Sequence, residues 1–182
     1  ATANATIVAN GNVQAGNAGL VAAIFPAGAT GNINVTANGS INGSFGVDAE
    51  NFGTGSTTVT TVGATNATTG NGIFALSTGG AVTVNAGTVT STGNTAIIAQ
   101  QTNAAGAGAV NVTAGNVSGT TGIFLNNLGS GTSTINVNGA ITGTAGPSIN
   151  ADGHAAVVNI AGSGTVNGFI NLTDNADSVN NN

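Results

Sequence analysis

Val110-Asn111-Val112-Thr113-Ala114-Gly115-Asn116-Val117-Ser118-Gly119, followed by Gly122-Ile123-Phe124-Leu125, is the stretch on which the fold of this chain turns. Val110 and Val112 alternate with Asn111 and Thr113, the two-residue period of a strand with one buried face. Val117 is a single inward aliphatic residue among small polar neighbours. Gly122-Ile123-Phe124 supplies a third β-prone piece, whose paired bulky side chains are expected to fill the widest part of a cross-section.

The same template recurs along the chain. Ile33-Asn34-Val35-Thr36-Ala37-Asn38-Gly39-Ser40-Ile41 leads to Phe45-Gly46-Val47, and Val82-Thr83-Val84-Asn85-Ala86-Gly87-Thr88-Val89 leads to Ile97-Ile98. Further copies start at Ile135, leading to Ile141 and Ile149, and at Val158, leading to Val166 and Phe169-Ile170. An opening copy runs through Ile7-Val8, Val13 and Leu20-Val21. Between residues 57 and 79 the copy is degenerate, with Val59 and Val62 standing for the first piece and Ile73-Phe74 for the third. The period is about 23 to 28 residues, within the range that marks solenoids.

Three short strands per coil predict an all-β fold: a right-handed parallel β-helix of about seven coils, standing roughly 34 Å tall at the inter-strand spacing. Residues 1–182 read as one β-solenoid segment of a longer repeat array. Turns at Ala-Gly, Asn-Gly and Gly-x-Gly call for positive φ, or for short Asn side chains that bond nearby backbone. Asn38, Asn116 and Asn138 fall near a shared turn, where amides are expected to bond up the stack. A helical reading fails, since no window keeps apolar residues at 3.6 spacing and Gly, Asn and Thr are poor interior helix residues. A β-sandwich also alternates strands with turns, but its strands seldom repeat one template so closely.

Composition narrows the function. The 182 residues include no Lys or Arg, five Asp and Glu together and one His, for a formal charge of −5. Without basic residues there is nothing to neutralise phosphates, which disfavours nucleic acid as a partner. Cys, Met, Trp and Tyr are absent and Phe numbers six, whereas Gly numbers 31. That rules out disulfide staples and thiolate metal sites, and it suits a thin repeated core with frequent turns. No apolar run reaches membrane-spanning length and no charged-then-apolar signal stretch opens the chain, so any targeting element is expected outside it.

The chemistry-bearing residues are few. His154, with Asp152 close by in sequence, lacks the companions of a zinc set and reads as a solvent-facing turn residue. Asp48 and Glu50, at i and i+2, share one side of an extended strand, as paired carboxylates for glycoside hydrolysis would, but no Tyr, Trp, Arg or Lys accompanies them. Asp174 and Asp177 offer oxygen ligands for Ca²⁺ without the spacing of a known calcium loop. Gly79-Gly80 and Gly106-x-Gly108 are turns rather than phosphate cradles, because no Lys follows and no βα unit surrounds them.

Ser56-Thr57-Thr58-Val59-Thr60-Thr61 and Thr88-Val89-Thr90-Ser91-Thr92 raise ice binding by an outward threonine array. Aligning the first piece of each copy gives Asn34, Thr83, Asn111, Asn136 and Asn159 as outward residues. Mostly Asn, they break the regular lattice. No catalytic, cofactor-binding or metal site is therefore expected, and the chain does not read as an enzyme.

The Val/Ile-Asn-Val-x-Ala-Gly-x-Val-x-Gly blocks at 110 to 119, 82 to 89 and 33 to 43, with the Gly-Ile-Phe pieces at 72 to 74 and 122 to 124, carry a family resemblance. The chain resembles the passenger regions of bacterial type V secreted proteins, the autotransporters and the filamentous haemagglutinin-like adhesins. Asp177 to Asn182 looks like the start of a further coil. The resemblance implies export, passage across the outer membrane through a barrel outside this segment, and extracellular or cell-surface display as a non-catalytic stalk or adhesin. It also implies ligand contact at loop insertions, for which Phe25-Pro26-Ala27 and Gln100-Gln101-Thr102-Asn103 are the longest departures. Partners would be a host or neighbouring-cell surface component, or further copies in a self-associating, biofilm-forming role.

Overall fold

Alternation along each strand and repetition every two dozen residues combine into stacked coils. The computed structural model describes residues 2–172 and 176–182. Like strands of successive coils pair in parallel, giving three sheets of eight, seven and seven strands among the described residues. The first sheet runs from Ala5–Ala9 through Ile33–Ala37, Thr57–Thr61, Val82–Ala86, Val110–Ala114, Ser133–Val137 and Ala156–Ile160 to Ser178–Asn181. The second runs from Val13–Gln14 to Thr165–Asn167, and the third from Ala18–Ile24 to Ile170–Leu172. The whole is a right-handed parallel β-solenoid of about seven turns, with the hand that parallel crossovers favour.

The core is a set of columns. Val35, Val59, Val84, Val112, Ile135 and Val158 stack inward from the first sheet, none more than 1 % exposed. Ile41, Val89, Val117 and Ile141 face them from the second sheet, and Val47, Ile73, Ile97, Ile123 and Ile149 from the third. Each fully buried aliphatic side chain contributes about 1.5–3 kcal/mol relative to exposure, so a narrow column suffices if it is unbroken.

Register corrects several details. Partners in the first sheet lie 28, 24, 25, 28, 23, 23 and 21 residues apart, from Ala5↔Ile33 to Val157↔Ser178. The copies read from Ile135 and Val158 begin two residues earlier, because Ser133 and Ala156 stack in line with Val110. Neither carries the aliphatic bulk that marks the starts at Ile33, Val82 and Val110. Val62 is not part of a strand's inner face: it lies just past Thr57–Thr61 and is 66 % exposed. In that degenerate coil Thr57 and Thr61 flank Val59 inside, and Thr65 fills the second-sheet column between Ile41 and Val89. Threonine has the shape of valine, and the Thr57 hydroxyl donates to the Leu76 carbonyl at 2.7 Å.

The Ile-Phe pairs do not enter the core together. Ile73, Ile97 and Ile123 are fully buried, while Phe74, Ile98 and Phe124 emerge half-buried on the outer face. Consecutive strand residues point to opposite faces, so only one member of each pair faces inward. The turn glycines also differ from expectation, since only Gly153 (φ 92°) and Gly168 (φ 135°) have positive φ among the described residues.

Asn38, Asn116 and Asn138 lie at the turn between the first and second sheets, but they are exposed and form no common ladder. Asn38 Nδ2 donates to Asn10 Oδ1 at 2.8 Å, and Asn116 Oδ1 accepts from the Ala140 N–H at 2.9 Å. Val62, Gly87 and Gly115 stand in the coils between Asn38 and Asn138. The buried polar column instead occupies the corner where the third sheet passes to the first, at Asn51, Ser77, Gln101 and Asn127, each 0 % exposed. Asn51 Nδ2 donates to the Gly31 carbonyl at 2.9 Å and Ser77 Oγ to Gly55 at 2.8 Å. Gln101 Oε1 accepts from the Gly129 N–H at 2.8 Å, and Asn127 Nδ2 donates to Gly131 at 2.7 Å and Gly108 at 3.3 Å. These side chains satisfy turn groups that no strand can reach. Asn127→Ala is expected to lower stability by about 2–3 kcal/mol, because buried carbonyls lose their donor. Urea unfolding checks this, and a change under about 0.5 kcal/mol would contradict the bracing role.

Candidate functional site

Outward side chains of the three sheets differ in kind. The second sheet presents Gln14, Asn42, Asn66, Thr90, Ser118, Thr142 and Asn167. The third presents one column of Val21, Asp48, Phe74, Ile98, Phe124, Asn150 and Asn171. Beside it runs a second column of Ala23, Glu50, Leu76, Gln100, Asn126 and Asp152. The carboxylates paired by the sequence therefore sit side by side on strand Phe45–Asn51, with apolar neighbours above and below.

Phe45, Val47, Asp48, Glu50, Asn71 and Phe74 line a shallow depression of about 200 Å³. Phe45, Asn71 and Phe74 were missing from the sequence reading of this pair. The repeat held the signal, because Phe74 lies one coil above Asp48 at the same strand position. Asp48 Oδ1 and Asn71 Oδ1 are buried and accept no hydrogen bond.

Burial raises the Asp48 pKa above its ordinary value, and burial followed by the charge of Asp48 raises that of Glu50. An acid whose native pKa lies above its unfolded value holds its proton more tightly when folded, so stability falls as pH rises through the interval between the two. The penalty is fully present above the raised native values and relieved below the ordinary carboxylate values near roughly pH 4. The melting temperature is expected to rise as pH is lowered from 7 into that interval, and D48N/E50Q should flatten the rise. Equal slopes in both proteins would assign it elsewhere.

The other candidates have local structural roles. His154 is exposed, and its backbone N–H donates to the Asn127 carbonyl at 2.9 Å. Asp152 Oδ1 accepts from the Gly153 N–H at 2.8 Å. Asp177 Oδ1 accepts from the Ala156 N–H at 2.7 Å, while Asp174, its proposed partner for Ca²⁺, lies outside the described residues. Among the described residues no three of His, Cys, Asp and Glu come together. Gly80 and Gly108 stack in one column of turn glycines, where a Cβ on either would meet the carbonyl oxygen of the coil before it.

The expected insertion at Gln100 to Asn103 is not all loop: Gln100 and Gln101 end the strand Ile97–Gln101, Gln101 is fully buried and donates to the Asn103 carbonyl at 3.0 Å, and Gln100 and Thr102 face outward. Phe25 is exposed and stacks on Phe52 at a ring separation of 5.8 Å.

Threonine and asparagine dominate the outer face of the first sheet in a register that the sequence alignment misplaced. One column holds Asn34, Thr58, Thr83, Asn111 and Thr134, and its neighbour holds Thr36, Thr60, Asn85, Thr113, Asn136 and Asn159. Asn136 and Asn159 thus belong to a different column from Asn34 and Asn111. The Asn159 amide donates to Asn136 at 3.0 Å and that of Asn180 to Asn159 at 2.9 Å, a true ladder along the stack.

Comparison with protein-family models, curated proteins and solved structures finds no match to this chain. Among the described residues no helix is long and apolar enough to cross a membrane.

Proposed function

We propose that this chain is a stalk segment of a bacterial surface passenger, a rod that carries binding regions away from the cell rather than a catalyst. The observation that supports it most is the uninterrupted registry of seven coils, in which each strand of one layer is hydrogen-bonded to the next. Main-chain bonding between layers resists bending, and the absence of Lys and Arg removes every trypsin-type cleavage point. The coil template resembles that of passenger regions of autotransporters and filamentous haemagglutinin-like adhesins. Antibody raised against residues 1–182 and applied to intact source cells is expected to label material outside the outer membrane. Labelling that requires permeabilised cells would overturn display.

A second reading rests on the corrected register of the first sheet. Thr58, Thr83 and Thr134 now share one column and Thr36, Thr60 and Thr113 its neighbour, at a spacing of about 4.8 Å per coil, although Asn still stands among them. The Asn136, Asn159 and Asn180 amides count against it by bonding one another. Faceted ice crystals and freezing hysteresis would favour this reading over the stalk, and unshaped crystals would end it.

A further inference from the structure

Two of the three outer faces are chiefly Thr, Asn and Ser, but the third sheet exposes a contiguous apolar strip. Phe74, Ile98 and Phe124, each half-buried, stack in consecutive coils, and Val21, 55 % exposed, stands in the same column two coils before Phe74. Exposed apolar patches rimmed by polar groups mark contact surfaces. Asp48 interrupts this strip between Val21 and Phe74, and Glu50 stands next to it. Carboxylates on an apolar surface lose solvation unless a cation answers them, and the chain has no Lys or Arg to do so. Asp48 Oδ1 and Asn71 Oδ1 carry no hydrogen bond, and the ring of Phe45 flanks the same depression.

We infer that the outer face of the third sheet binds an extended segment of a partner protein, with a Lys or Arg in the depression between Asp48, Glu50, Phe45 and Phe74, and apolar side chains along Phe74, Ile98 and Phe124. A long cationic side chain suits the place, because its aliphatic stem lies on apolar surface while its head reaches the carboxylates. The two phenyl rings add attraction through their faces. From Asp48 to Phe124 the stack rises three coils, about 14 Å, which an extended segment of about five residues spans. A second copy of this chain does not fit the role, since it offers no Lys or Arg and brings its own charge of −5. The inference holds whether or not the chain is displayed on a cell.

The test uses the full 182-residue chain and a fluorescein-labelled, amidated Lys-Thr-Leu-Thr-Leu peptide, whose Lys and two Leu share one face when extended, with Gln and Glu versions in place of Lys, read by fluorescence anisotropy. The Lys peptide is expected to bind with Kd below about 1 mM, and the Gln and Glu peptides at least tenfold more weakly. D48N/E50Q should weaken the Lys peptide tenfold or more. D152N/D177N, which also keeps three of the five acidic residues, should stay within twofold. Phe74→Ser combined with Ile98→Ser should weaken the Lys and Gln peptides alike, with the sheet signal by circular dichroism retained. Equal losses in the two acid-depleted variants would reduce the effect to net charge and overturn the site. No binding at about 1 mM, or concentration-dependent dimerisation abolished by Phe74→Ser, would overturn it as well, the latter by assigning the strip to a second copy.

Discussion

Gly108→Ala is expected to destabilise the solenoid by about 3 kcal/mol, the upper part of the range for overpacking a tight site. Gly31, Gly55, Gly80, Gly108 and Gly131 form a continuous column two residues before successive strands of the first sheet. At each of the last four, an added Cβ would collide with the carbonyl oxygen of the glycine one coil below. The obstacle is backbone rather than a side-chain tip, so neither partner can swing aside, and relief requires prising coils apart. Gly80→Ala together with Gly108→Ala should lower stability further, and by an amount that departs from the sum, because the two positions touch. Gly16→Ala and Gly28→Ala serve as controls: a Cβ there meets nothing within 4 Å, so the change is expected to be neutral or stabilising by about 0.4–1 kcal/mol. Urea unfolding with hydrogen exchange mapped by coil reads both the size and the place of the loss. A Gly108→Ala protein as stable as its Gly16→Ala counterpart would contradict the stacking.

Ile97 and Ile98 provide the second large contrast, because neighbours in sequence lie on opposite sides of the wall. Ile97→Ala should cost about 3–4 kcal/mol, the lost transfer energy plus the cavity left between Ile73 and Ile123, since Ile97 is fully buried in that column. Ile98→Ala, on the outer strip, should cost less than about 1 kcal/mol. Similar values for the two would mean that the strand is not oriented as described. Their separation would also show that outer-face residues can be changed without unfolding the chain, as the binding experiment requires.

How much the sequence foretold varies with how local the information was. The alternation in Val110-Asn111-Val112 and the single inward Val117 and Ile141 were legible, because a strand's period of two is written in adjacent residues. The repeat announced the solenoid, since no other common arrangement buries one short template again and again. The split of Ile123 and Phe124 followed from the same period, but paired bulk suggested core to the eye. The starts at Ser133 and Ala156 were illegible for a different reason: small residues there satisfy the column without marking it.

The carboxylate pair was visible as Asp48 and Glu50, but its surroundings were not. Phe74 comes to Asp48 across a gap of 26 residues and Val21 across 27, and coil lengths that vary from 21 to 28 residues leave those distances open until the strands pair. Turn glycines follow the same rule. Their number suggested positive φ, a property of one residue, whereas most stand where coils approach too closely for a Cβ, a property of two residues far apart in the chain. Asn127, Gln101 and Asn51 likewise became braces only when the third sheet met the first.

By itself, then, the sequence determined the class of fold, the buried face of clearly alternating strands such as Val110–Ala114 and the poverty of charge, all set by neighbours or by composition. Tertiary structure alone decided which coil position stacks on which, and with that the apolar strip, the buried polar corner and the glycine column. Loops between strands absorb insertions without disturbing the layers, so sequence separation does not fix spatial register; hydrogen bonding between layers does.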